Sequence, residues 1–119
     1  MKTLWKPLAV LCLVAGPAQA AEFKCAGNRV EKAGSTQYTV RRSGADLAIE
    51  KDGSVRGQAV RRGDIYVIEV RGNPWATIEN GRIYKGSAPW ASVSDAQRVY
   101  DCPDIVAATI WVLEQQGAL

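Results

Sequence analysis

Two cysteines, a run of arginines and a pair of loop tryptophans are the residues of this chain whose types invite chemistry, and histidine is absent altogether. Without His there is no Ser–His or Cys–His nucleophile and no ordinary general base near neutral pH. Most catalytic zinc and iron sites are lost as well. Paired carboxylates are the remaining route to hydrolysis. However, Glu50, Glu69 and Glu79 alternate along short strand-like segments, while Asp52 and Asp64 sit in turn sequences. Gly53, Gly63, Gly72 and Gly81 follow turn chemistry and lack the spacing of a phosphate-cradling loop. The sequence therefore predicts a non-enzymatic protein with no cofactor and no metal.

The arginines are unevenly placed. Between Arg41 and Lys85 there are nine basic and six acidic residues; beyond Lys85 a single Arg faces Asp95, Asp101, Asp104 and Glu114. Arg56 and Arg61-Arg62 fall near the ends of predicted strands, where guanidinium groups can grip carboxylates in pairs of hydrogen bonds. Trp75 lies beside Pro74, and Trp with Arg dominates protein–protein hot spots. Arg56, Arg61, Arg62 and Trp75 are thus the candidate residues for a protein partner with an acidic surface. Trp90, beside Pro89, is expected to fold back and plug a barrel end, and Trp111 to lie in the core.

The amino terminus predicts an address. Lys2 and Lys6 precede the apolar run Leu8–Ala15, Gly16-Pro17 breaks it, and Ala18-Gln19-Ala20 supplies the small residues a signal peptidase needs. An eight-residue apolar run is far short of the ~20 residues that span a bilayer. Cys12 sits mid-run behind Leu11, the wrong place for lipidation. Residues 1–20 are therefore expected to be a signal peptide cleaved between Ala20 and Ala21, giving a periplasmic or secreted protein with no stable membrane insertion. Loss of Lys2 and Lys6 lowers the formal charge from +3 to +1, which removes the basic excess a nucleic-acid partner would require. It also removes Cys12, so Cys25 and Cys102 have only each other. With no Cys-x-x-Cys and no His, a structural disulfide is expected between them.

Residues 21–119 suit one domain. From Gln37 to Gly86, short strand-like segments alternate with turn residues at near-regular spacing, predicting an antiparallel meander or small barrel. The strongest turn, Asn80-Gly81, sets Glu79 against Arg82 and Ile78 against Ile83. Around Asp52-Gly53 a three-residue loop is expected, setting Glu50 against Arg56 and Leu47 against Ala59. Around Arg71–Trp75 a five-residue loop sets Ile68 against Ile78, leaving Trp75 beyond the paired strands. Ile65–Val70 is apolar on both faces except at Glu69, so it is expected to be central and covered twice. Residues 103–116 have β-branched content that favours a strand. Pro103, Asp104, the terminal Gly117 and a stripe through Ile105, Ala108 and Val112 favour a helix packed on the sheet. A shorter helix before it is signalled by Ser94 with Gln97. No internal duplication is evident beyond the two Pro-Trp steps.

Phe23-Lys24-Cys25 near the mature start, Asp64–Val67 with Ala76–Ile78 and Arg82-Ile83, and Arg98–Cys102 at the close form a pattern that resembles the periplasmic and membrane-bound inhibitors of c-type lysozyme. The resemblance implies a small disulfide-closed β-barrel and an inhibitor-like role against a lysozyme-like cleft. The family's Ser-Gly-x-x-Tyr element is not reproduced: the corresponding stretch is Ser54–Val60, without Tyr, so no inhibitory residue carries over. The alternative expectation is a structural or accessory envelope protein that binds its partner through Trp75 or the C-terminal helix.

Overall fold

The computed structural model describes residues 21–119; the expected signal peptide, including Ala20 of its cleavage site, lies outside the described residues. The strands are β1 (Phe23–Ala26), β2 (Arg29–Lys32), β3 (Ser35–Ser43), β4 (Asp46–Lys51), β5 (Ser54–Arg62), β6 (Ile65–Val70), β7 (Asn73–Glu79), β8 (Arg82–Lys85), β9 (Ala88–Ser92) and β10 (Tyr100–Asp101). Two helices, α1 (Val93–Gln97) and α2 (Asp104–Gln115), complete the described residues. The nine strands β1–β9 form one antiparallel meander in chain order, and β10 adds to the free side of β1 in parallel.

The sheet is open yet curled. Tyr38 on β3 donates a hydrogen bond to Glu114 at 3.0 Å, and Trp90 on β9 packs edge-on against Trp111 at 4.9 Å. Six strand spacings separate β3 from β9, about 29 Å in a flat sheet. Glu114 and Trp111 are one turn apart on a helix only ~10–12 Å wide. The strands therefore wrap around α2. Between the two edges run only α1, Arg98 and Val99, and Val99 accepts a hydrogen bond from the Phe23 N–H. The expected meander and the helix packed on it are present, and the barrel is not closed.

The core lies between the concave face and α2. Val30, Ile49, Ile68, Ile83, Val106, Ile110, Val112 and Leu113 are among its fully buried side chains. Gly57 makes the closest approach possible: a Cβ there would run into the Leu113 side chain. The helix ends as its sequence predicts. Gly117, at φ 75°, sits past the last turn, and the N–H groups of Gly117 and Ala118 return to the carbonyls of Glu114 and Leu113 in a Schellman arrangement. Cys25 and Cys102, with sulfurs 2.06 Å apart, tie β1 to the start of α2.

The local structure departs from four expectations. Asp52-Gly53 and Arg71-Gly72 are two-residue turns with positive φ at both positions, not longer loops. Each is followed by a β-bulge. Glu50 faces Val55, Arg56 is the extra residue, and Ile49 faces Gly57, which restores Leu47 to Ala59. Likewise Glu69 faces Pro74, Trp75 is extra, and Ile68 faces Ala76 instead of Ile78. Trp75 is therefore a bulged strand residue and not a loop residue. The short helix α1 is capped by Ser92 with Asp95, each bonding the other's N–H, and not by Ser94 with Gln97. The 78/83 and 79/82 pairings around Asn80-Gly81 are as expected. The second face of β6 is not roofed by the helix: Val67 is shielded by its cross-strand neighbours Val60 and Thr77.

The bulges expose a hairpin unit of 19 residues that single-residue matching overlooks. Glu31-Lys32-Ala33-Gly34-Ser35, Glu50-Lys51-Asp52-Gly53-Ser54 and Glu69-Val70-Arg71-Gly72-Asn73 occupy equivalent positions. Before each Glu stands a fully buried Val30, Ile49 or Ile68. After each turn, two exposed residues lead to a half-buried bulged residue, Gln37, Arg56 or Trp75. The β8–β9 hairpin repeats the pattern with Trp90.

Candidate functional site

A bulge turns a side chain out of strict alternation, and at a barrel rim it re-aims that side chain toward the mouth. Here four hairpins place Gln37, Arg56, Trp75 and Trp90 along one end of the curled sheet. At this end, beside the last turn of α2, lies a cavity of about 600 Å³. Arg56 and Trp75 line it, joined by Arg71 and Asn73 from the β6–β7 turn and by Val55 and Val70. Gly117 and Ala118, just past the helix, complete the lining with Ser54.

The cavity is electrostatically one-sided. Its lining contains two guanidinium groups and no carboxylate. The Nε of Arg56 is buried and has no hydrogen-bond partner among the described residues. Leaving a charged donor buried and unpaired costs more than leaving a neutral one. Arg56 also sits near the negative end of the α2 dipole, and the last turn of α2 carries no basic residue of its own. Yet the Nε makes no hydrogen bond to a helix carbonyl among the described residues, so capping the helix does not account for the unpaired donor. Val55, at 50 % exposure, is the one large apolar side chain left exposed among the described residues, and it stands on the same rim.

Arg61 and Arg62 are elsewhere. They occupy the far end of β5, where the Arg61 N–H donates to the Asp46 carboxylate at 2.9 Å and its Nε to the Gly63 carbonyl at 3.0 Å. Arg62 pairs with Glu69 at 3.3 Å on the convex face, where Arg41 likewise pairs with Glu50 at 3.0 Å and Arg29 with Glu31 at 3.5 Å. Of the four candidate residues, the fold unites Arg56 with Trp75 and consigns Arg61 and Arg62 to a separate network. Trp90 does not plug a closed barrel: it is a half-buried bulge residue on the edge strand, backed by Trp111 with Lys85 Nζ 5.2 Å from its ring centre. Trp111 itself is only partly buried.

Sequence reasoning missed Arg71, Asn73 and Val55. The signal that finds them is the recurrence of Glu-x-x-Gly at 31, 50 and 69: it fixes each two-residue turn, and with it Arg71 and Asn73 on either side of Gly72 and Val55 two residues past Gly53. Among the described residues no group of His, Cys, Asp or Glu is arranged to hold a metal ion, and no helix is long and apolar enough to cross a membrane. No protein-family model matches the chain, and no curated protein or solved structure matches it.

Proposed function

We propose that this protein is a small, exported, non-enzymatic binding protein of the bacterial envelope, and that it holds a protein partner through the rim cavity between Arg56 and Trp75. The observation that carries this reading is the buried, unpartnered Nε of Arg56 beside an indole in an open cavity of about 600 Å³. Ligand sites of this size combine apolar walls with a few converging polar groups. Export is supported by the layout of residues 1–20, and an oxidising compartment by the joined pair Cys25–Cys102. The non-enzymatic reading rests on the absence of His and on carboxylates engaged in ion pairs with Arg across the convex face.

The test is a pull-down from envelope extract with wild-type protein beside Trp75→Ala, Arg56→Gln and an Arg61→Ala/Arg62→Ala double variant. The first two are expected to lose the captured partner and the third to keep it. Equal capture by all four proteins sinks the proposal. The inhibitor-like form of this reading names c-type lysozyme as partner, supported by the sequence resemblance and by the placement of Ser54, Val55 and Arg56 on the cavity wall. Purified protein should then slow lysis of a cell-wall suspension, and unchanged lysis at large molar excess removes that form. The accessory reading through the C-terminal helix is less favoured, because seven of the residues of α2 are buried against the sheet.

A further inference from the structure

We infer that the rim cavity is a carboxylate site, built for an acidic side chain that has an apolar residue next to it in a peptide segment of the partner. This rests on the binding reading above and specifies what is bound. Arg56 carries the argument. A guanidinium presents paired N–H donors that match the two oxygens of a carboxylate; Arg56 lines the cavity, and its buried Nε has no partner among the described residues. Arg71 supplies a second positive charge from the turn, and no acidic side chain in the lining competes for either.

The surroundings select among anions. Two cations stand against the C-terminal end of α2, whose dipole carries negative partial charge toward the cavity. That balance suits a monoanion. A phosphate dianion is usually met by backbone N–H groups at a helix N-terminus, and the helix presents its opposite end here. The walls select the rest of the ligand: Trp75 and Val70 line the cavity, and Val55 leaves half its surface open on the rim. An apolar side chain beside the carboxylate would cover this surface and displace its water. Across the rim, successive bulged positions are two strand spacings apart, ~10 Å. Extended peptide advances ~3.5 Å per residue, so a segment whose Glu meets Arg56 sets the next side chain over the Val55 and Val70 wall, on the way to Trp75.

The experiment is an NMR titration of the purified protein, following the Arg56 Nε–H and Trp75 indole N–H resonances. The probes are acetyl-Ala-Glu-Phe-Ala-amide, its Gln counterpart, and inorganic phosphate. The Glu peptide should shift both resonances saturably, the Gln peptide should bind at least about tenfold more weakly, and phosphate should not compete. Arg56→Lys, which keeps the charge but loses the two-donor edge, should weaken the Glu peptide while melting like wild type. Equal binding of Glu and Gln peptides, stronger binding of phosphate, or an unmoved Arg56 resonance overturns the inference. If the peptides fail while partner capture still depends on Trp75, the carboxylate assignment is wrong and the binding reading stands. If the Glu peptide binds while capture ignores Arg56 and Trp75, the carboxylate site stands and the binding reading falls.

Discussion

Gly57 follows the bulge at Arg56 and lies directly under Leu113, so the helix approaches the sheet only because this position has no side chain. Gly57→Ala should destabilise the protein by about 1–3 kcal/mol through overpacking, measured as a lower urea midpoint with unchanged slope. Tyr38, two strands away, has its hydroxyl pushed up to about 12 from an ordinary 10, first by burial and then by donating to Glu114. A phenol whose pKa is raised by folding stabilises the fold fully below pH 10 and loses that contribution as pH rises toward 12. Urea midpoints should therefore fall across that alkaline window. Tyr38→Phe should reduce the fall, leaving the share due to Tyr100, whose buried hydroxyl is also pushed up. At this scale the sequence was informative about identity but not about placement. Arg56 and Trp75 are legible from their types as candidates for binding; that Arg61 and Arg62 are engaged with Asp46, Gly63 and Glu69 depends on contacts between strands.

Strands and turns were legible wherever residue type dictates backbone geometry. Asn80-Gly81 tolerates positive φ at both positions and gave the correct register around it. Arg71-Gly72 and Ala33-Gly34 adopt the same turn with a less suitable first residue, at φ 54° and 53°. The register around Arg71 escaped the sequence because it required a bulge, and nothing local announces an extra residue. Ala33 is strained in a region that Asn visits readily. Ala33→Asn should stabilise the β2–β3 hairpin by roughly 1 kcal/mol or less, detectable as a higher melting temperature. In α1, Ser92→Ala removes the side chain that receives the Asp95 N–H and should cost about 1 kcal/mol. Asp95, held below the usual carboxylate range chiefly by its hydrogen bonds with Ser92, helps only while ionised. This contribution is present above its unfolded pKa and is lost as pH falls through the depressed folded value.

The molecule as a whole is an open sheet wound around one helix, with its edges brought near each other by α1 and by the Cys25–Cys102 link. That link spans 77 residues of sequence, so reducing it frees nearly the whole meander. Cys25→Ser/Cys102→Ser should lose about 2–5 kcal/mol, seen as a melting transition lowered by roughly 10–20 °C. The pairing of these cysteines and the helical end of the chain were readable in advance from elimination and from Pro103 and Gly117. The curl was not, because it emerges from how α2 meets both β3 and β9.

The 19-residue hairpin unit separates two duties within one strand. Buried positions such as Ile49 and Ile68 secure folding, while the bulged position one ladder step away contributes nothing to strand pairing. On the binding reading proposed above, Arg56 and Trp75 occupy sockets that can be refilled while the buried ladder residues stay in place. Exchanging the occupants, as Arg56→Trp with Trp75→Arg, should leave the melting temperature nearly unchanged and yet reverse the order in which a ligand meets charge and indole. On that reading, a change of partner requires substitution at these two sockets alone.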